Sequence, residues 1–226
     1  MKKLSFIKAV AILYFLTVYA LTSFSQTVYD ISGTNWKEKK YVEVNGSPFL
    51  SDKWGKGIIS LGGNRTVNGL ELKLDLIDGS ILYKNAAGQI MELAEPVAEF
   101  KIEYGEKERL FRSGYKLARD NTKNPYLEVL SDGNVKFLKR TAKVIFEEKD
   151  YSGKTSKNIN EKISYYIVKD GVNAIPVNRD IKSIATAIGD KEEELKTFVK
   201  ANNLNLKEDA DILKLFEYYH NISKKA

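Results

Sequence analysis

The central structural element of this chain is predicted at residues 70–83, LELKLDLIDGSILY. From Leu70 to Leu76, leucine occupies every second position and charged residues lie between. A period of two residues places the leucines on one face of a β-strand and the charges on the other. Asp78-Gly79 then supplies turn chemistry, so residues 80–83 are predicted to return as the partner strand. Because a two-stranded hairpin is marginally stable alone in water, the rest of the chain is expected to cover its apolar face.

Strand patterns recur along the chain as far as Pro176, about every 10 to 15 residues, and turns join them. This spacing favours antiparallel pairing in a meander, a sandwich or a half-open barrel. Tyr41–Val44 is predicted to be the first strand. Val135–Leu138 and Ala142–Glu148 are predicted to be two separate strands, and Asp150–Asn160 a polar loop after them.

Trp54 lies in the glycine-containing segment Trp54-Gly55-Lys56-Gly57, which interrupts regular structure. Tryptophan is highly buried on average, so Trp54 and Phe49 are predicted to lie against the sheet. An exposed aromatic residue that binds a ligand is the alternative for Trp54.

The pattern becomes helical after Pro176. Apolar residues at positions 181, 184, 185 and 188 share one face of a helix that ends at Gly189. Asp190 and Asn205 are predicted to cap a second and a third helix, because a glutamate follows each of them three positions later. The fold class predicted is therefore α+β, mainly β, with the antiparallel sheet followed by a C-terminal cluster of about three short helices.

Residues 1–25 have the layout of a secretory signal peptide. Three lysines precede an uncharged apolar run, and Ser23 and Ser25 provide small residues before a cleavage site at Gln26. An uncleaved membrane anchor is the alternative. The predicted divisions are thus the signal peptide, a β-rich domain at 26–176, and a helical segment at 177–226 that packs on the sheet or forms a small appendage.

Composition excludes several classes of function. The chain of 226 residues contains no cysteine, which rules out disulfides, thiol catalysis and thiolate metal sites. Loss of the three lysines of the signal peptide lowers the formal net charge from +6 to +3. So small an excess does not predict a nucleic acid partner. The predicted location is outside the cytoplasm, in the periplasm, on the cell surface or in the medium, with no stable transmembrane anchor after cleavage.

The layout resembles a group of uncharacterised exported proteins of Bacteroidota. The resemblance is carried by the Ser25-Gln26 signal end, by Gly46-Ser47-Pro48-Phe49-Leu50 ahead of Trp54-Gly55-Lys56-Gly57, and by the closing Glu217-Tyr218-Tyr219. It implies export and no particular activity. A looser analogy is to the curved antiparallel sheets of periplasmic lipoprotein carriers.

The sequence contains few candidates for catalysis. His220 is the only histidine, and its place near the end of the last helix favours a structural role there. Two acidic groups could serve a two-carboxylate hydrolase: Asp75 with Asp78, and Glu147 with Glu148 and Asp150. Each group also suits the solvent-exposed side of a strand. No residue is assigned a catalytic, cofactor-binding or metal-binding role, and the residues that bind a ligand stay unassigned.

These observations favour a non-catalytic envelope protein that binds a ligand or a protein partner, and a lipid-like ligand would suit a curved sheet. Whether the protein is an enzyme stays open, although the sequence favours a negative answer. One alternative is an exported hydrolase that uses paired carboxylates. The other is an interaction module that docks through the C-terminal helices. No cofactor is expected.

Overall fold

The computed structural model describes residues 31–37, 41–118, 125–149 and 151–224, so the predicted signal peptide lies outside the described residues. Most strands of the described chain pair antiparallel in one sheet, whose order is β1-β6-β5-β4-β3-β7-β8-β10-β11-β12-β13-β9, with β2 beside β12. The bounds are β1 (Gly33–Asn35), β2 (Val44–Asn45), β3 (Gly55–Leu61), β4 (Thr66–Leu74), β5 (Ile81–Lys84), β6 (Ile90–Leu93), β7 (Val97–Tyr104), β8 (Lys107–Arg112), β9 (Lys116–Leu117), β10 (Leu127–Ser131), β11 (Lys136–Lys149), β12 (Thr155–Val168) and β13 (Asn173–Val177).

The sheet does not close on itself, since β1 and β9 stand at its two ends. Three helices follow it: α1 (Ile181–Ile188), α2 (Glu192–Ala201) and α3 (Asp209–Ser223). The predicted fold class, a mainly β protein with an antiparallel sheet and C-terminal helices, is confirmed. Within the described residues, no helix combines the length and the apolar character that crossing a bilayer requires.

The predicted hairpin is present as β4 and β5, with Leu72 opposite Tyr83 and Leu74 opposite Ile81. Leu70, Leu72 and Leu74 of β4 are buried in the core of the N-terminal half of the sheet. The charged side of the pattern differs from the prediction at one position. Asp75 follows the end of β4 and is fully buried. Its burial is tolerated because the carboxylate accepts the backbone N–H groups of the turn that joins the two strands.

β11 and β12 form a hairpin of 14 paired residues on each strand. The prediction of two strands at Val135–Leu138 and Ala142–Glu148 is wrong, because the basic residues between them continue the ladder. The prediction that Asp150–Asn160 is a loop is also wrong: Thr155–Asn160 pair with Val144–Lys149. Both errors have one cause, since a strand with polar residues on both faces lacks the alternation that identifies strands.

The predicted first strand at Tyr41–Val44 is also wrong, since only Val44 of that segment belongs to a strand. Glu43 has a φ of 63°, which interrupts extended backbone. The tyrosine side chain instead reaches the buried carboxylate of Asp75. Phe49 and Trp54 lie against the sheet as predicted, and the ammonium group of Lys73 is 4.6 Å and 5.0 Å from the centres of their rings.

The helices cover one face of the C-terminal half of the sheet. Phe137 and Ile167, which are opposite each other on β11 and β12, are buried against Phe216 of α3 and its apolar neighbours. Leu138 and Tyr166, the next pair, point to the other face and join a separate apolar cluster. The two faces of this hairpin are therefore distinct, and only the face of Phe137 carries the helices.

The helix boundaries follow the predictions in part. Asp180 caps α1 and Gly189 ends it with a φ of 85°. The predicted caps of the next two helices are wrong. Lys191 stands at the N-cap of α2 and Glu208 at that of α3, and neither side chain makes a capping hydrogen bond.

Candidate functional site

The outer edge of β12 is open over part of its length. One edge of this strand pairs with β11 from end to end. Along the other edge, β13 pairs with Tyr165–Val168 and β2 pairs with Lys157 and Asn158. Between them, residues 159–164 have no neighbouring strand in the described part of the chain. At about 3.3 Å per residue, the gap is roughly 20 Å long.

The backbone groups that face this gap can be identified from Pro176, which is opposite Tyr166 in the β12–β13 ladder. Proline has no N–H, so this pair is of the non-hydrogen-bonded type, and the flanking pair of Tyr165 and Val177 exchanges the bonds. Every second residue of β12 therefore directs its N–H and C=O to the outer edge. In the gap these include Glu161 and Ile163, and no described backbone or side-chain group bonds to them there.

A cleft of about 790 Å³ opens at this edge. It lies where β13 ends, the chain turns into α1, and the segment before α3 approaches the sheet. The lining is mostly polar and carries four cationic side chains, those of Arg140, Lys162, Arg179 and Lys207. Among the described lining residues, the one carboxylate belongs to Asp180.

That carboxylate is already engaged in the start of α1. Asp180 accepts the backbone N–H of Ser183 at 2.8 Å, and the Ser183 hydroxyl accepts the backbone N–H of Asn178 at 2.9 Å. These are the bonds of a helix cap. In the part of the cleft that the structure describes, the cationic groups therefore outnumber the anionic groups. The two polar side chains of the cap have structural partners.

The positive charges lie on both faces of the open edge. Arg140 and Lys162 belong to the face of Leu138, since they alternate with the residues that point to the helices. Arg179 and Lys207 lie on the helix face, one before α1 and the other before α3. The nitrogen atoms of Lys162 and Lys207 make no ion pair with any described carboxylate.

Arg179 is held in place by the junction between the sheet and α3. Its guanidinium lies 4.8 Å from the centre of the Tyr165 ring and donates to Asp209 Oδ1 at 3.2 Å. Lys139 Nζ donates to the other oxygen of Asp209 at 3.0 Å. Partial burial acts to raise the pKa of Asp209, but the hydrogen bond and the charge of Lys139 outweigh it, so the pKa is lowered. The carboxylate thus stays ionised and fixes both cations.

Asp75 and Asp78 lie close together, as a two-carboxylate site requires, but the carboxylate of Asp75 is already hydrogen-bonded within the fold. The Tyr41 hydroxyl lies 2.5 Å from Asp75 Oδ2 and 3.3 Å from Asp78 Oδ2. Asp75 Oδ1 accepts the backbone N–H groups of Ile77 and Asp78. Burial and the neighbouring Asp75 carboxylate raise the pKa of Tyr41. With both oxygens bonded and no exposed surface, Asp75 is a turn-forming residue.

The other sequence candidates are dispersed. Glu147 and Glu148 are adjacent on β11 and therefore point to opposite faces, where they contact Lys157 and Asn158. Asp150 lies outside the described residues. His220, in the last turn of α3, is 2.9 Å from the carbonyl oxygen of Val135 through Nε2, which ties the helix to the sheet.

No group of three metal-ligating side chains occurs among the described residues. The cleft could not be recognised in the sequence, because its cations come from four separate segments and each resembles an ordinary surface charge. No known family, curated protein or solved structure matches the chain. The resemblance to exported Bacteroidota proteins therefore stays a prediction.

Proposed function

We propose that this protein is a non-catalytic, exported binding protein of the cell envelope, and that its ligand occupies the cleft at the open edge of β12. The observation that carries the proposal is the charge of the cleft: among the described residues, four cationic side chains and one carboxylate line it. Two of those cations, Lys162 and Lys207, have no described counter-ion. The ligand class that fits is therefore anionic.

A lipid-like ligand has less support. Apolar ligands are bound in concave sites lined mainly by hydrophobic and aromatic side chains. The cleft beside β12 is lined mainly by polar groups, and the largest apolar side chains of the sheet are packed into its cores.

The hydrolase alternative also has less support. Asp75 would have to release its bonds to the turn and to Tyr41 before it could act on a substrate. Docking through the apolar faces of the helices would require those faces to leave the sheet, since Leu215, Phe216 and Tyr219 are buried there.

The test compares two double variants of the mature protein by native mass spectrometry after incubation with an extract of the envelope. Lys162→Glu with Lys207→Glu reverses two charges of the cleft. Lys53→Glu with Lys107→Glu makes the same change in net charge at two exposed lysines that do not line the cleft. We expect bound anionic species on the wild type and on the control, and at least a tenfold loss on the cleft variant.

Equal loss in both double variants would mean that net charge, and not the cleft, attracts the ligand. Equal retention in both would place the ligand elsewhere. A bound neutral lipid that persists in the cleft variant would restore the lipid-carrier alternative.

A further inference from the structure

The gap in β12 combines two features that a small anion does not need. The first is backbone: Glu161 and Ile163 direct N–H and C=O groups outward, in line with the ladders that β13 and β2 make on the same edge. An extended segment placed between those two strands would continue the sheet. Strand addition of this kind draws its affinity from main-chain hydrogen bonds.

The second feature is the placement of charge. Side chains of an added strand alternate between the two faces of the sheet. On one face they would meet Lys162 and, one strand further in, Arg140. On the other face they would meet Arg179 and Lys207, together with the carboxylate of Glu161, which lies 3.7 Å from Lys143 Nζ. An extended segment with carboxylates at successive positions presents negative charge on both faces of the sheet, which matches the placement of these cations.

We infer that the ligand is an acidic, extended polypeptide segment of a protein partner, which adds to β12 as a strand between β13 and β2. This inference rests on the proposed function, since it specifies the ligand of the same cleft. The gap of roughly 20 Å accommodates about six residues of such a segment.

Charge argues against a second copy of this chain as the occupant. Two β12 edges that pair with each other in the register centred on Lys162 would bring the Lys162 side chains of the two copies together. Like charges that face each other across a strand pair are destabilising. Lysine on an exposed edge is also a recognised protection against self-association.

The first experiment measures binding of a defined probe, octaglutamate with blocked ends, at low ionic strength where surface charges are least screened. The matched probe is octaglutamate with every backbone nitrogen methylated, which keeps the carboxylates and removes the N–H donors. We expect saturable binding of the first peptide and at least tenfold weaker binding of the second, because several main-chain hydrogen bonds are lost. Free glutamate at the same total carboxylate concentration is the control for charge alone.

The second experiment locates the peptide by amide hydrogen exchange in the wild-type protein. Glu161 and Ile163 are expected to gain at least tenfold protection when octaglutamate is bound. Lys162 and Ser164 direct their amides to β11 and are expected to change little, so the strand contains its own control. No substitution is needed, and a folding defect cannot imitate the result.

Each outcome is decisive. Binding with protection of Glu161 and Ile163 supports strand addition. Equal binding of both peptides without that protection would overturn it and leave an anion site, so the proposed function would survive. Failure of octaglutamate to bind would overturn the inference. The proposed function would then still be tested separately, by the comparison of envelope ligands bound to the wild type, the cleft variant and the control variant. Protection of the same two amides in the free protein, rising with protein concentration, would show a second copy at the edge.

Discussion

Replacement of Phe216 by alanine tests whether the helices and the sheet form one folding unit. Phe216 is fully buried and its ring lies 4.9 Å from that of Phe137 on β11. Loss of the buried side chain removes about 2–3 kcal/mol of transfer free energy. The cavity and the lost ring contact add to this, so the free energy of unfolding is expected to fall by about 3–5 kcal/mol.

Urea unfolding of the mature protein, followed by far-ultraviolet circular dichroism, measures this change. With an m-value of about 2 kcal/mol/M, the midpoint is expected to move down by about 2 M in a single transition. The control is Phe198→Ala in α2, where the ring is half-buried and stacks on Tyr218 at 4.0 Å. It is expected to cost about 1 kcal/mol.

Two results would contradict the expected role of Phe216. If Phe216→Ala and Phe198→Ala shift the midpoint equally, Phe216 does not join the helices to the core. If Phe216→Ala produces two transitions and leaves the later one at the wild-type midpoint, the helices are an appendage that unfolds independently of the sheet. The second result would also support the alternative prediction that the C-terminal helices act as an interaction module.

Three further changes test particular contacts. Tyr41→Phe removes a hydrogen bond to the buried Asp75 carboxylate and is expected to lower the free energy of unfolding by about 1.5–3 kcal/mol, whereas Tyr151→Phe, at a fully exposed tyrosine, should leave urea unfolding unchanged. Gly133→Ala places a methyl group against the ring of His220 and is expected to lower the free energy of unfolding by about 1–3 kcal/mol. This loss should be smaller in a His220→Ala background, and an unchanged loss would show that the methyl group does not clash with the ring. Hydrogen bonds from the Val172 backbone and from Asn173 lower the pKa of Asp170 from 3.8 to about 2. The carboxylate therefore stabilises the fold above the pKa of the unfolded state, and this contribution is lost as the pH falls through the pKa of the folded state. A carboxyl titration followed by NMR would contradict this if its midpoint lay near 3.8 or did not move in Asn173→Ala.

The parts of the fold that could be predicted are those with one buried face. Alternation in β4 identified the central hairpin, because its leucines enter the core on one side only. The helical stripe of α1 was visible for the same reason, since Ile184, Ala185 and Ile188 are buried while Lys182 and Thr186 are exposed. A segment that is buried on one side has apolar residues at a regular spacing, and this spacing can be recognised in the sequence.

The outer part of the β11–β12 hairpin could not be predicted because it lacks that period. Val144 and Phe146 are exposed on one face, and polar residues occupy both faces nearby. Backbone pairing continues the ladder there without a buried face, and backbone hydrogen bonds produce no pattern in the residue types. β13 was missed for a related reason: Pro176 indicates a break, yet it is tolerated where its missing N–H is not required by the ladder.

The open edge of β12 follows from the way these two elements end. β13 stops at Val177 because the chain must turn there to reach the cap of α1 at Asp180. β2 covers only two residues at the far side of the gap. An exposed edge between two ladders invites pairing, and Lys162 at its centre opposes pairing with another copy of the same basic edge. The same charge attracts an acidic segment, so one side chain can both protect the edge from self-association and select the partner that we propose for it.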